Sequence, residues 1–409
     1  MTGTADLAGD VDALAAELVA FRRDLHSHPE LSWQEHRTTG CVVDRLHQAG
    51  LAPAVGPSGT GVVCDIGGAE DAAPFVVLRA DIDALPLDDP KDVPYRSMVP
   101  GVCHACGHDV HTAVVLGAAL ALYAAGQRHG LPGRVRVLFQ PAEESVPGGA
   151  RPMQEAGLTK GAEAVLALHC TPYLEIGQVG LSAGPITSAA DRIDVRLRGP
   201  GGHTARPHRT ADLVHVAARV VLDLPMGLHR LTDSRDGINV TFGAIEAGHA
   251  ANVIPTDARI QGSLRTLGRD TWERAPDLVA HLLRAIVEPL GASFHLDYQQ
   301  GAPPVENDPA LVTLVSAVAA EVLGEGVVQP TEQSAGGEDF SWFLCDAPGC
   351  YARLGVRSAG APVIDIHAGA FDVDERCIPL GARLMAEAAL AVLDGHGDLQ
   401  VTGRGTRSG

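Results

Sequence analysis

No stretch of the sequence reaches the roughly 18 uninterrupted apolar residues that a membrane-crossing helix needs. The first ten residues are small and acidic, where a secretory signal would be basic and then apolar. The cytoplasm is therefore the expected compartment. A basic excess is also missing: 31 Lys and Arg stand against 50 Asp and Glu, a formal net charge of −19. Such a surface repels phosphate backbones and anionic lipid, which argues against a nucleic-acid or membrane partner. Aromatic residues make up only 4% of the chain, so no aromatic cage for a bulky ligand can be picked out. There is no internal repeat and no low-complexity tract. Cys103 and Cys106 form a CxxC, but no second CxxC exists to complete a zinc ribbon.

What is present fits an ordinary globular protein. The 409 residues, 45% hydrophobic and 20% charged, exceed what a single core organises, so two domains are expected. The eight cysteines are irregularly spaced and do not read as a disulfide framework. Most are expected to be free thiols packed as small hydrophobes.

Periodicity divides the chain into three parts. In the first, helices are expected over 11–25, 38–48, 109–126 and 151–155, with strands over 60–67, 74–80, 134–140 and 164–168. This alternation implies a sheet covered by helices on both faces. From about residue 188 the pattern becomes strand 192–197, helix 211–222, strands 237–245 and 258–266, helix 270–287 and strand 293–298. That β-α-β-β-α-β order describes a small α+β module. A loop over 300–309 leads back to helix 309–323, strand 351–354 and helix 381–393. The expected division is 1–187 and 301–409 for one domain and 188–300 for an inserted one. The Gly-, Arg- and Ser-rich tail after Gly395 is expected to fray.

In a wound sheet, ligands gather beyond the carboxyl ends of the strands. Asp81 and Asp83 follow the strand at 75–79, Glu143 and Glu144 the one at 135–139, and His169 the one at 164–168. His367 follows the segment 363–366, which reads as a strand. Cys106 and His108 precede the long helix, with Gly107 between them to fold the backbone tightly. Carboxylate, imidazole and thiol are the ligand types of zinc, manganese, cobalt or nickel. Each segment has a plainer reading. Asp109 would serve as a helix N-cap, Glu143–Glu144 as a solvated acidic loop, and His169 and His367 as hydrogen-bonded core histidines. Cys103 and Cys106 also fit a redox pair. In the metal reading, adjacent carboxylates on extended backbone point to opposite sides, so one binds metal while the other acts as general base on water. In the module, His203 sits on the turn Gly199-Pro-Gly-Gly202-His203-Thr204. Asn252 and Arg265 are further candidates for closing over a substrate, Arg265 as a carboxylate clamp.

Several segments together resemble the M20 metallopeptidase superfamily in its amidohydrolase branch, which includes N-acyl-amino-acid amidohydrolases, hippurate hydrolases and auxin-conjugate hydrolases. They are Arg23-Asp-Leu-His26, Arg79-Ala-Asp81-Ile-Asp83, His104-Ala-Cys-Gly-His-Asp109, Gln140-Pro-Ala-Glu-Glu144, Gly201-Gly-His203, Asn252-Val-Ile-Pro255 and Gly337-Glu338-Asp339-Phe340. The resemblance runs nearly end to end. It implies a zinc-exopeptidase-like α/β catalytic domain, with a mixed sheet and an inserted ferredoxin-like lid and dimerisation domain. It implies two divalent ions per subunit held by Cys106, His108, Glu144, His169 and His367, with Glu143 as base and proton shuttle. It implies that His203 stabilises the oxyanion in a neighbouring subunit of a homodimer, and that Asn252 and Arg265 bind substrate. The expected reaction is hydrolysis of a small N-acyl amino acid or similar conjugate. A dipeptidase or aminopeptidase of the same fold, a non-catalytic binding protein and a thiol-redox protein are the alternatives. Two departures stand out. Ala368-Gly369 replaces the usual Ser-Pro after the last metal histidine, and Cys103 replaces the usual Met.

Overall fold

The computed structural model describes residues 4–68 and 74–395, so the tail after Gly395 lies outside the described residues. The chain divides into two compact units. The first comprises the residues up to Gly184, Glu306–Glu332 and the residues from Trp342 onward; the second comprises Pro185–Val305 with Gln333–Ser341.

The first unit is a mixed α/β structure. Among the described residues its sheet has eight strands, and four of them form a parallel centre in the order Arg134–Gln140, Phe75–Asp81, Ala164–Glu175 and Gly349–Arg357. Antiparallel Val62–Ile66 extends it beyond Arg134–Gln140. All seven residues of Phe75–Asp81 are buried, as expected of a parallel strand covered on both sides. Helices Thr4–Ser27, His108–His129 and Cys377–Asp394 pack against one another around one continuous core. His108–His129 is long and apolar enough to cross a membrane by length and composition, but 83% of its apolar window is buried inside the fold. It is a core helix.

Helix His36–Gln48 buries the stripe Thr38, Thr39, Val42 and Leu46, the spacing of one helical face. Its first free N–H groups are capped from outside the helix. The Glu30 carboxylate accepts from the Arg37 N–H (2.9 Å) and the Thr38 N–H (2.8 Å), satisfying donors that have no intrahelical partner.

The second unit has a four-stranded antiparallel sheet in the order Asn239–Ala247, Asp257–Arg265, Asp191–Arg198, Ser293–Gln299. Helices Leu213–Leu231 and Arg269–Val287 pack with it around a core of their own. In sequence order this is strand, helix, strand, strand, helix, strand, the ferredoxin-like arrangement. Asp191 is buried in this unit and accepts from Trp272 Nε1 (3.0 Å) and the Gly301 N–H (2.9 Å).

Three local expectations change. Residues 363–366 form a loop rather than a strand, and Val363 and Ile364 are exposed; a β-branched run alone does not supply a pairing partner. The strand beginning at Ala164 continues to Glu175 because Gly349–Arg357 pairs with it from Val165 to Thr171 and again, after a register shift, at Glu175, so His169 lies within a strand. The helix expected to stop at 222 runs to Leu231 through Pro225. Burial of Leu224 and Leu228 on its core face outweighs the one backbone bond that proline removes.

Candidate metal centre

Cys106 and His108 enter the centre from the turn that opens the His108–His129 helix. Gly107 occupies its N-cap with φ +89°. A Cβ there would stand 2.9 Å from both Cβ and Sγ of Cys170, so this turn fits glycine alone. Asp109 does not cap the helix, contrary to the plainer expectation. It is fully buried and accepts from Arg22 Nε (2.6 Å), and its carboxylate meets His26 Nδ1 at 2.7 Å. Arg22 is itself 1% exposed and also pairs with Asp372 and Glu375. The helix that presents His108 is thus moored through the next residue.

Two imidazoles have their tautomers set by carbonyl partners. His108 Nδ1 lies 2.9 Å from the Asp83 carbonyl and 3.2 Å from its carboxylate. His169 Nδ1 lies 2.8 Å from the Cys170 carbonyl. A carbonyl only accepts, so each Nδ1 carries a proton and Nε2 is the nitrogen left to bind a metal. His169 Nε2 is 3.4 Å from Cys106 Sγ. His108 Nε2 is buried without a hydrogen-bond partner, and Oε1 of Glu144 lies 3.9 Å away.

Glu143 and Glu144 lie on a turn rather than on extended backbone, following Ala142 at φ +55°. The Glu144 N–H donates to Asp83 Oδ2 (3.0 Å), and Ser32 Oγ donates to the same oxygen (2.7 Å). One buried carboxylate therefore orients both His108 and Glu144. His367 arrives from the 363–366 loop with φ +61°. Its N–H donates to the Ala105 carbonyl (2.7 Å), and its Nε2 stands 3.1 Å from Glu144 Oε1. The ring is about half exposed, with a side-chain accessibility of 51%, which leaves this edge of the centre open.

Ligand atoms of Cys106, His108 and His169 lie within 4.8 Å of one another. So do those of Cys106, Glu144 and His367, and those of His108, Glu143 and Glu144. Unpaired buried polar atoms are costly. Imidazole, carboxylate and thiol atoms converging in one place make a donor set suited to a cation. The electrostatics agree. Burial opposes charge on His108, but Asp81 and Cys106 draw its affinity for a proton well above the ordinary value. Burial holds His169 neutral, its pKa well below the usual histidine range. Burial also pushes the Cys106 thiol up; coordination to a divalent cation is what makes such a thiol a thiolate. The residues present fit a metal.

Sequence reasoning picked out Asp81 and Asp83 but missed His111 and Arg22 among the groups that support these candidate ligands. His111 Nε2 accepts from the Cys170 N–H (2.8 Å), so its Nδ1 donates to Asp81 Oδ1 (2.6 Å). Asp81 also accepts from Arg79 Nη1 (2.8 Å). His111 falls one turn after His108 on an otherwise apolar helix, and that spacing was its signal. Arg22 carried a signal too, since it interrupts the buried stripe of Leu7, Val11, Leu18 and Leu25.

The other three candidates belong to the second unit. His203 is exposed and pairs with Val253 in a two-stranded ladder. Its Nδ1 accepts from the Ala205 N–H (3.1 Å), and the Thr204 N–H donates to the Asn252 carbonyl (3.3 Å). This ladder brings His203 and Asn252 together. Arg265 ends a different strand and donates to the Ala335 carbonyl. The eight cysteines are all free thiols. Gly369, in the Ala-Gly step after His367, packs so tightly that a Cβ would stand 2.1 Å from the Asp88 carbonyl oxygen.

Comparison with known proteins places this geometry. The family model described as peptidase family M20/M25/M40 matches residues 77–391. N-acetylcysteine deacetylase of Bacillus subtilis is 35% identical over 383 residues, covering 93% of this chain and 98% of that protein. A Rhodococcus jostii protein named putative glutamate–cysteine ligase 2-3 is 43% identical over 369 residues, 90% of this chain; the match spans 46% of that relative, about half its length. A solved Bacillus subtilis structure, described as a dinuclear metal binding peptidase from the M20 family, has a TM-score of 0.79 at 33% identity. It covers 94% of this chain and 99% of that one.

Proposed function

The chain belongs to the M20/M25/M40 peptidase family, a family of hydrolases, and from that premise we propose that it cleaves the amide bond of small N-acyl amino acids. The products are a carboxylic acid and a free amino acid. The observation that carries this reading is the convergence of Cys106, His108, Glu144, His169 and His367 around buried lone pairs, with Glu143 in the same cluster.

In this reading those five residues would hold two divalent ions, with Cys106 among the ligands. Bound divalent ions supply Lewis acidity, polarising an amide carbonyl and bringing the pKa of water toward about 7. Thiolate, imidazole and carboxylate together suit zinc, with manganese, cobalt and nickel as alternatives. Glu143 takes the proton of the attacking water and returns it to the leaving amine. Asp83 keeps His108 and Glu144 in register while the proton moves. His203, whose Nδ1 accepts a hydrogen bond, carries its proton on Nε2 and in a homodimer would donate a hydrogen bond from it to the oxyanion developing in the neighbouring subunit. Asn252 and Arg265 bind the substrate, Arg265 at its carboxylate. The second unit serves as a lid and as the pairing surface of a homodimer. The substrate class is read from the deacetylase relative. The tight Ala368-Gly369 step sets a wall of the pocket different from the family's usual Ser-Pro.

The test is amine release from N-acetyl and N-benzoyl amino acids and from dipeptides. Metal-loaded protein is compared with a chelated sample and with Glu143→Ala. Release from acylated amino acids, lost on chelation and lowered about 10²–10⁴-fold in the variant, is the expected outcome. Cleavage of dipeptides alone, or full activity in Glu143→Ala, refutes it.

A further inference from the structure

Among the described residues, three that are not glycine have positive φ: Trp33 (+67°), Ala142 (+55°) and His367 (+61°). Such conformations persist only where surrounding structure enforces them. His367 is enforced by its bond to the Ala105 carbonyl. The other two share one enforcer. Oε1 of Glu35 accepts from the Trp33 N–H (2.9 Å) and from the Ala142 N–H (2.8 Å).

Glu35 stands at the N-cap position of the His36–Gln48 helix, yet its side chain makes no cap bond there. Glu30 takes that work with both of its oxygens. Glu35 is fully buried and reaches a residue 107 positions away. A buried carboxylate is expensive, and burial raises its pKa. Capping does not explain its placement, and neither does an ion pair.

Its target does. Ala142 immediately precedes Glu143. On the other side of Glu143, the Glu144 N–H is held by Asp83. Glu143 is therefore bracketed by two buried carboxylates, each gripping the backbone of an adjacent residue. The segment 32–35 reaches both grips, since Ser32 Oγ donates to Asp83. We propose that Glu35 is a positioning residue for the reaction: its carboxylate oxygen holds Ala142 left-handed and so aims the Glu143 side chain. This rests on reading Glu143 as the base.

The experiment uses the full chain loaded with zinc and an N-acyl amino acid that the parent hydrolyses. Glu35→Leu removes the acceptor, Glu35→Gln keeps a carbonyl oxygen in the same place, and Val42→Ala weakens the same helix without touching either bond. Glu35→Leu is expected to lower kcat about 100-fold, the scale of a misplaced catalytic group, with KM changed less than about threefold and metal content unchanged. Glu35→Gln should stay within about fivefold of the parent, and Val42→Ala should retain the parent kcat. Hydrogen exchange of a peptide spanning 141–145 should accelerate in Glu35→Leu alone. Parent-like kcat in Glu35→Leu, equal losses in the Leu and Gln variants, or unchanged exchange at 141–145 overturns the proposal. If the parent cleaves no substrate, or Glu143→Ala is fully active, the assigned reaction fails instead. The exchange measurement then still decides whether Glu35 holds Ala142.

Discussion

Cys106, His108 and His169 in the first unit and His203 and Asn252 in the second are held to different degrees. The first three are 5% exposed or less, with both imidazoles fixed at Nδ1 by a backbone carbonyl. Behind them stand Asp81, Asp83, His111, Asp109 and Arg22, every one buried and bonded. His203 is exposed on a two-residue ladder and Asn252 on the turn before its partner strand, each positioned by single backbone contacts. On the proposed function, the difference separates two kinds of functional residue. A metal ligand must be preorganised, because each misdirected lone pair is lost to coordination, and supporting groups are therefore worth nearly as much as the ligands. A group that acts by closing over a bound substrate needs freedom until it arrives.

The largest effect that would sharpen this contrast is at Arg22. Arg22→Ala leaves Asp109 charged and buried with only His26 beside it, and removal of one partner from such a set costs about 3–5 kcal/mol. Chemical denaturation of the variant should show that loss; an unchanged midpoint would mean the mooring is not energetically important. His203→Ala should do the reverse. It should leave the midpoint within about 0.5 kcal/mol, as surface changes do, while lowering kcat about 10²–10³-fold. A matching loss of stability would erase the distinction between the two regions.

The smallest expected change tests whether burial or partnership matters. Glu387 lies in the Cys377–Asp394 helix, and its Oε1 has no hydrogen-bond partner. Burial lifts its pKa from 4.5 to about 7. Between these values the native state keeps a proton that the unfolded chain has released, so the contribution is intact below about pH 4.5 and is lost as pH rises through 7. Glu387→Gln should flatten stability across that window by about 1 kcal/mol, after a discount for partial solvent screening. Asp81 and Asp83 behave oppositely. Burial works against their charge, but Arg79 and the bond to His108, respectively, hold them below the ordinary carboxylate range. Their stabilisation is present above the unfolded value near 3.9 and fails only as pH falls below it. A stability profile without a decline between pH 4.5 and 7, and unaffected by Glu387→Gln, would show that an unpartnered buried carboxylate is tolerated here at no measurable cost.

Much of the fold and of the centre is legible in the residues alone. Period-two and period-3.6 patterns locate most of the main strands and helices within a few residues of where they lie, because burial on one face is a local property of the sequence. The ligand-type residues are legible because they cluster in short motifs beside apolar strands. The readings that fail share a cause. Asp109 resembles an N-cap, and 363–366 resembles a strand. Each is judged from its neighbours in sequence, while its state is set by Arg22, 87 residues away, or by the lack of a pairing strand.

The sequence by itself therefore determined the family, most of the element order and the candidate metal-ligand side chains, since each depends on residue type and short-range spacing. Only the tertiary structure decided which nitrogen each imidazole presents, which carboxylates brace the centre, and that Glu35 grips Ala142 from 107 positions away. A hydrogen bond acts over about 3 Å in space, and no local pattern in a chain records which distant groups folding will bring that close.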